Sequence, residues 1–451
     1  MNYMTLSSAV VDAQPSDELV TDLLRSAWIV ERARAHLFTG WGLPESAARA
    51  QRRAELVWAT LGARSPRDDE ALVEPHARWI ATLAGARPDD EPFGHAVMVR
   101  LGDWVDAHAG PMLEGGADEM RALGEAEKAT LEFPTAFPEA PPFEPVAPVA
   151  VEAPGEVRFR FAIIGDLHFG SPHAEAMARA AFADINASGS ALAIQLGDVT
   201  DHGDRDEFEL ATRVLGELEM PVTTMLGNHD VLSYEEARLS GREYYASSFG
   251  REPDGVLLEH AGVRFAVLDS AEHAASPFPN FDLVSGSFTE DRGGAVVRGV
   301  LTPAQHEILA DVAAPGSPPA FVFLHHPVQP FCGFPPVVFG LRDIDSGRLH
   351  AVCDSGNVWG VFAGHTHRNA RTREFGRVPC QEVAVPRDYP FGYALVDVTD
   401  SGYAYRFLQI SDEDLLREAY ARTGRLQRNY ALGSEAERGF IWTVDSIRAH
   451  P

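Results

Sequence analysis

RFRFAIIGDLH, residues 158–168, decides the fold. A short β-rich run ends in glycine, and a polar side chain follows at once. The pattern returns with small variations in ALAIQLGD (191–198), PVTTMLGN (221–228), VRFAVLDS (263–270), AFVFLHHP (320–327) and VWGVFAGH (358–365). Runs of this length and composition read as strands. Helical stretches such as AEAMARAAFADINAS (174–188) and RDEFELATRVLGELE (205–219) lie between several of them. Strands alternating with helices imply an α/β sheet with helices on its faces. Ligands bind such sheets at the carboxyl ends of the strands, so the polar groups should converge on one rim.

Seven metal-ligand side chains stand at those strand ends. They are Asp166 and His168 in GDLH, Asp198 in GDVTD, Asn228 in GNHD, His325 in LHHP, and His365 and His367 in GHTH. Asp166 and His168 can reach one metal, and a carboxylate such as Asp198 can bridge two. Asn228 offers a neutral amide oxygen. The two histidines of GHTH can divide between two ions. Mixed nitrogen and oxygen donors without thiolate suit two di- or trivalent ions of manganese, iron or zinc rather than calcium or magnesium. Two ions roughly 3.5–4 Å apart activate water and clamp a phosphoryl group for in-line attack. The leaving oxygen then needs a proton. His229, next to Asn228, is placed to give it. Asp230 or Asp201 is the expected carboxylate to orient its imidazole.

Outward from these motifs, the chain divides. Residues 1–132 carry amphipathic helical segments, beginning with SDELVTDLLRSAWIVERARAHL (16–37), and predict a bundle of four or five helices. Residues 133–156 are rich in proline and read as an extended linker or a strap over the surface. Residues 157–451 form the third part, ending in a helical tail and a short terminal segment.

The net charge is -28, from 66 acidic against 38 basic residues. Such a field repels long nucleic acid and anionic lipid surfaces. It does not argue against a small phosphate ester drawn to local cations, as a two-metal site would take. The three cysteines, Cys332, Cys353 and Cys380, form no CxxC pair, and Cys332 and Cys353 read as small buried hydrophobes. The chain shows no secretory start and no twin-arginine signal. No apolar run approaches the roughly 18 residues of a membrane helix. A cytoplasmic location without a membrane span is therefore expected.

In that order, GDLH, GDVTD, GNHD, HHP and GHTH resemble the motifs of the calcineurin-like metallophosphoesterase superfamily over roughly residues 157–410. The resemblance implies a four-layer sandwich, with two mixed β-sheets face to face and helices outside, joined here to an N-terminal all-α bundle. It implies that Asp166, His168, Asp198 and His367 hold one metal. The other would sit among Asp198, Asn228, His325 and His365. His229 falls where the family's phosphate-contacting, proton-donating histidine sits. His325 stands at the ligand position of HHP in preference to His326.

Within the superfamily the chain is most similar to bacterial class III cyclic-nucleotide phosphodiesterases. GNHD, LDS (268–270), GVLTPAQHEIL (299–309) and WGVFAGHTHR (359–368) carry that similarity. The implied reaction is hydrolysis of a small phosphodiester, such as a cyclic nucleotide or a glycerophosphodiester. A phosphomonoesterase or protein phosphatase would use the same site. A scaffold with the helical bundle as its functional module is the non-catalytic alternative. The departures from the family pattern are the bundle itself and the long stretch between Asn228 and His325. There SPFPNFDLVSGSFTEDRGGAVVRG (276–299) is a candidate lid.

Other residues have plainer readings. Asp201 also suits a loop and helix cap, and His202 an exposed or rim position. Asp269 and Ser270 suit a turn, and Arg368 either a substrate phosphate or a salt bridge. Glu31, His36, Glu55, His76 and His95 faintly resemble a carboxylate-bundle metal site, but the Glu-x-x-His pairs such sites use are absent. Packing, homo-oligomer formation or partner binding is the expected role of the bundle.

Overall fold

The computed structural model describes residues 17–64, 69–84, 91–131, 142–231, 233, 236, 240–271, 279–282, 287–292, 298–328, 336–337, 339–372 and 378–444. One sheet runs in the order β14 (Gly439–Thr443), β13 (Gly402–Gln409), β12 (Gly392–Val398), β1 (Phe159–Ile164), β2 (Leu192–Gln195), β3 (Val222–Thr223). β1, β2 and β3 are parallel, and the other neighbours pair antiparallel. The second sheet runs β10 (Ala370–Thr372), β11 (Cys380–Glu382), β9 (Val358–Ala363), β8 (Ala320–Leu324), β5 (Val263–Leu268), β4 (Val256–His260). Its four central strands are parallel and its two edge pairs antiparallel.

The pleat explains how the sheets stack. Successive side chains on a strand point to opposite faces. In β1, Phe159, Phe161 and Ile163 enter the core between the sheets, while Ala162 and Ile164 enter the core beneath the helices. β5 and β8 repeat this, with Phe265, Phe321 and Phe323 facing inward. The Phe161 ring lies 5.2 Å from both Phe265 and Phe321, so aromatic contacts join the two sheets. α6 (Ala174–Ala187), α7 (Arg205–Leu215) and α11 (Glu413–Arg422) cover the first sheet. α9 (Pro303–Ala313) and α10 (Asp343–Ser355) cover the second. The four-layer metallophosphoesterase sandwich is therefore present.

The C-terminal segment differs from the expectation of a helical tail and a short end. After α11 come α12 (Arg425–Tyr430) and α13 (Glu435–Arg438), and then β14 completes the first sheet. Phe440 and Trp442 turn into the core between the sheets while Ile441 faces solvent. This two-residue alternation is too short to stand out from a helical sequence. In the long insertion, β6 (Pro279–Asp282) and β7 (Ser287–Arg292) pair as an antiparallel hairpin. The rest of the candidate lid lies outside the described residues, apart from Arg298 and Gly299 at its end.

Residues 142–156 form neither helix nor strand. They run along the sandwich, where the Val146 amide donates to Gln409 Oε1 at 2.8 Å and Phe143 packs on Tyr420. Residues 133–141 of the proline-rich stretch lie outside the described residues.

Five helices make up the described part of the N-terminal region: α1 (Asp17–Gly40), α2 (Pro44–Arg64), α3 (Glu70–Ala84), α4 (Glu91–His108) and α5 (Ala117–Lys128). A buried ion network runs through their core. Glu31 accepts from Arg53 Nε at 2.8 Å and from Arg34, and Arg34 also reaches Glu127. Arg53 donates further to the carbonyls of Gly102 and Met120, both at 2.8 Å. Glu31 is thus committed to guanidinium groups. The bundle is tied to the sandwich: Arg25 pairs with Asp343 at 2.9 Å and Asp22 with Arg298 at 2.7 Å.

Removing one member of a buried charge group leaves its partners uncompensated, which costs about 3–5 kcal/mol. Glu31→Ala should therefore destabilise the bundle by about that amount. Denaturant unfolding read by circular dichroism checks this, and an unchanged midpoint would rule out the network as a structural element.

Candidate metal centre

The strands end where their sequences turn to glycine and a ligand. His168, Asp198, His365 and His367 all occupy the left-handed region, with φ of 49°, 49°, 69° and 51°. Non-glycine residues held there cost on the order of 1–3 kcal/mol each and cluster at functional sites. The glycines beside them are required by space. A Cβ on Gly227 would lie 2.1 Å from Asp198 Oδ1, and one on Gly364 would lie 2.4 Å from Asp166 Oδ1.

Hydrogen bonds stitch these loops together. The amides of Leu167 and His168 donate to the Asp198 carbonyl at 2.9 and 3.0 Å. The His365 amide donates to Asp166 Oδ2 at 2.9 Å, and the His229 amide donates to Asp198 Oδ1 at 2.8 Å. Asp230, fully buried, accepts from the amides of Val199, Thr200 and Gly227 and from the Thr200 hydroxyl. Burial, followed by the neighbouring Asp198 charge, raises its carboxyl to about 7.

All seven sequence-derived ligand candidates come together. His367 Nε2 lies 3.0 Å from Asp166 Oδ2 and 3.1 Å from His168 Nε2. His168 Nε2 lies 3.7 Å from Asp198 Oδ2, and His325 Nε2 lies 3.4 Å from that same oxygen. Asn228 Oδ1 and His365 Nδ1 sit 3.0 and 3.2 Å from His325 Nε2. Asp198 Oδ2 therefore stands between two groups of donors, one with Asp166, His168 and His367 and one with Asn228, His325 and His365. The first set holds its atoms within 4.8 Å of one another.

The outward-facing ring nitrogens test whether this set fits a metal. His168 Nδ1 donates to Asp201 Oδ1 at 3.1 Å, His325 Nδ1 to the Leu196 carbonyl at 2.8 Å, and His367 Nδ1 to Asp388 Oδ2 at 2.7 Å. Carboxylates and carbonyls only accept, so each Nδ1 carries the proton and each Nε2 is left to coordinate. This is the usual arrangement behind metal-binding histidines. Nitrogen donors this close together call for a shared cation. Without one, protons fill the role at some rings. Burial pulls the His325 imidazole down, but Asp198 and Asp166 outweigh it and hold it up at about 9. Burial is likewise outweighed at His367, where hydrogen bonds to Asp166 and Asp388 lift the ring to about 10. Burial and Arg387 push His168 down to about 4. Metal binding then displaces protons from these nitrogens.

The residues expected around His229 take different parts. His229 is half-buried, edge-on to His168 at 4.6 Å between ring centres. Its Nδ1 donates to the backbone carbonyl of Asp201 at 2.8 Å, so neither the Asp201 nor the Asp230 carboxylate orients it. The Asp201 carboxylate orients His168 instead and lies 3.3 Å from Arg387. Asp230 is consumed by backbone donors because the buried loop amides have no other acceptor. His202 pairs with Glu207 at 2.9 Å, and Arg368 makes a bidentate pair with Glu382 at 2.8 and 3.1 Å. Asp269 accepts from the amides of Leu226 and Gly255, and Ser270 pairs with His326 Nδ1 at 3.0 Å. His326 also brings a ring nitrogen into a cluster with His325 and His365. Cys353 and Cys380 are buried, and Cys332 lies outside the described residues.

The sequence reading missed Asp388 and Arg387. They occur in VPRDYP (385–390), after β11, with no spacing that marks a metal site. The one available signal was a charged pair inside an otherwise apolar run near a strand.

Residues 159–369, from the first strand through GHTH, match the model of the calcineurin-like phosphoesterase family. This segment is a calcineurin-like phosphoesterase domain. The phosphoesterase domain places the chain among hydrolases of phosphate esters, in a family that works with a dinuclear metal centre. Among solved structures, a dimetal phosphatase from Danio rerio is similar at 16% identity, over 64% of this chain and 99% of that one, with a TM-score of 0.41. A purple acid phosphatase from yellow lupin (Lupinus luteus) seeds is similar at 12% identity, over 67% of this chain and 56% of that one, with a TM-score of 0.42. No curated protein matches the chain.

Asp388→Ala should weaken metal binding by about 10- to 100-fold, because it removes the acceptor that holds the His367 tautomer. Competition against a chromophoric chelator measures this. An affinity equal to wild type would show that His367 needs no such partner.

Proposed function

We propose that the phosphoesterase domain hydrolyses a small phosphodiester, of the cyclic-nucleotide or glycerophosphodiester kind, at two metal ions held by the seven ligands. Asp166, His168, Asp198 and His367 would hold one ion, and Asp198, Asn228, His325 and His365 the other. Manganese, iron or zinc fits the donors. The observation that carries this reading is the placement of Asp198 Oδ2 between two groups of lone-pair donors. When bound, the two ions supply an activated water and a clamp on the phosphoryl oxygens.

The chain's own residues prepare the rest. The Asp201 carboxylate fixes the ring of His168, and Asp388 fixes that of His367. The His229 amide braces Asp198, so the residue that carries the proton is anchored to the residue shared between the metals. With Nδ1–H bound to the Asp201 carbonyl, His229 exchanges protons at Nε2. In that role it protonates the leaving oxygen of the ester. Asp230 takes no part in the chemistry and holds the loop bearing Asp198 against the loop bearing Asn228.

Turnover of bis(p-nitrophenyl) phosphate against p-nitrophenyl phosphate tests the substrate class. Preference for the diester is expected, and strong preference for the monoester would replace the diester reading with a phosphomonoesterase one. Metal-replete protein that hydrolyses neither would favour the scaffold alternative.

The role of His229 has its own signature. General-acid help is worth about 10²- to 10⁴-fold when the leaving group is a poor one. His229→Ala should therefore lose about that factor in kcat on an alkyl phosphodiester. It should lose much less on a p-nitrophenyl ester, whose leaving group needs little protonation. Equal losses on both substrates would exclude His229 as the proton donor.

A further inference from the structure

The N-terminal bundle reaches the metal centre through one face of α1. Asp22, Arg25 and Ser26 stand at positions i, i+3 and i+4 of that helix and so share a face. Asp22 pairs with Arg298 at 2.7 Å, and Arg25 pairs with Asp343 at 2.9 Å. The Ser26 hydroxyl oxygen accepts from the Val337 amide at 3.3 Å. Val337 is buried in the bundle's own hydrophobic core, although in sequence it lies between HHP and α10. Three points of the sandwich are thus pinned to neighbouring residues of one helix.

The pinned chain is also tied to the ligand loop. The Leu341 amide donates to the carbonyl of Pro327, the last residue of HHP, at 2.7 Å. The Gly299 amide donates to the Gly340 carbonyl at 3.0 Å, and the Arg342 amide donates to the Gly299 carbonyl at 2.8 Å. Phe339 lies between these bonds and Val337. Its ring lies against that of His365, with 4.0 Å between ring centres and 30° between planes.

His365 is the ligand histidine that needs such support. His168, His325 and His367 each donate through Nδ1 to an oxygen that fixes the ring. His365 turns the other way, with Nδ1 in the donor cluster, 3.2 Å from His325 Nε2. Its Nε2 is buried and has no hydrogen-bond partner among the described residues. Asp166 fixes the backbone by accepting from the His365 amide at 2.9 Å, but the plane of the ring is left to packing. The rings of His325 and His326 flank it, at 4.9 and 4.7 Å and inclined by 63° and 49°. Of these three rings, that of Phe339 is the nearest and the closest to parallel.

We infer, on the two-metal reading above, that Phe339 is a positioning residue for His365 and that α1 of the bundle holds it in place. Aromatic packing does at His365 what an outer hydrogen-bond acceptor does at the other three histidines. The bundle thereby sets the plane of one ligand of the metal held by Asp198, Asn228, His325 and His365.

Metal-stripped full-length protein is titrated calorimetrically with Mn²⁺. Wild type should bind two ions. Phe339→Ala should weaken one of them about 10- to 100-fold, as expected when a ligand histidine loses its outer partner. The ion that Asp388→Ala weakens, through His367, should keep its affinity. Phe339→Tyr retains the ring and should restore binding. Val337→Ala addresses the bundle's part. It should weaken the same ion as Phe339→Ala, and weaken it no further where Phe339→Ala is already present, because it acts through Phe339. In that double variant the unfolding midpoint should still fall, since the cavity left in the bundle core remains. Unchanged affinity for both ions in Phe339→Ala would overturn the positioning role. Additive losses from Val337→Ala and Phe339→Ala would overturn the link to the bundle. Wild type binding fewer than two Mn²⁺ ions would overturn the two-metal reading and the inference with it, and this shows as stoichiometry rather than as a difference between variants.

Discussion

The site rests on two buried carboxylates that brace each other's loops. Asp230 accepts from the amides that follow Asp198, and Asp198 accepts from the amide that precedes Asp230. Each loop therefore supplies the donors that the other loop's carboxylate needs. Buried backbone amides without partners are costly, so neither loop can move without exposing the other to that cost. The ends of β2 and β3 are locked together by this exchange. The ends of β8 and β9 join through the Gly364 amide, which donates to the His325 carbonyl at 3.0 Å.

That locking permits the strain found at the ligands. Four of them sit in the left-handed region, which a free loop would leave. They stay because a strand of one of the two sheets holds the start of every ligand loop and because main-chain hydrogen bonds occupy the turns. The aromatic core between the sheets, centred on Phe161, Phe265 and Phe321, fixes how far apart the two sets of strand ends lie. Donor spacing at the metal centre is thus inherited from packing well below it. The glycines complete the arrangement by leaving room that any Cβ would take from Asp166 or Asp198.

Much of this was legible in the sequence, and for physical reasons. The strands β1, β2, β8 and β9 are buried on both faces almost throughout, so they read as apolar runs, and their ligands follow directly at the turn. Asp166, Asn228 and His367 could be named because ligand chemistry restricts residue type. Asp388 could not, because a carboxylate that only accepts from a ligand's far nitrogen obeys no spacing rule. The same limit applies to His229. Its neighbour Asp230 is adjacent in sequence, yet the acceptor is the Asp201 carbonyl, and a backbone atom leaves no mark in residue type. β14 was lost for another reason: a strand of five residues after three short helices offers too little alternation to be seen.

The charge balance finally separates what repels from what selects. A net charge of -28 acts over the surface but is screened beyond roughly 8 Å at physiological salt. Selection of a phosphate ester is decided within that distance, where the local residues differ from the average. At the metal centre the carboxylates are those the cations need. Where the C-terminal tail meets the bundle, Glu382 pairs with Arg368 and Glu437 caps a helix. The bundle is joined to the tail there, since Asn429 Nδ2 donates to the Leu83 carbonyl at 2.9 Å. Its attachment to the sandwich through Arg25, Asp22, Arg298 and Asp343 likewise sets opposite charges against one another at short range, and so joins two folding units.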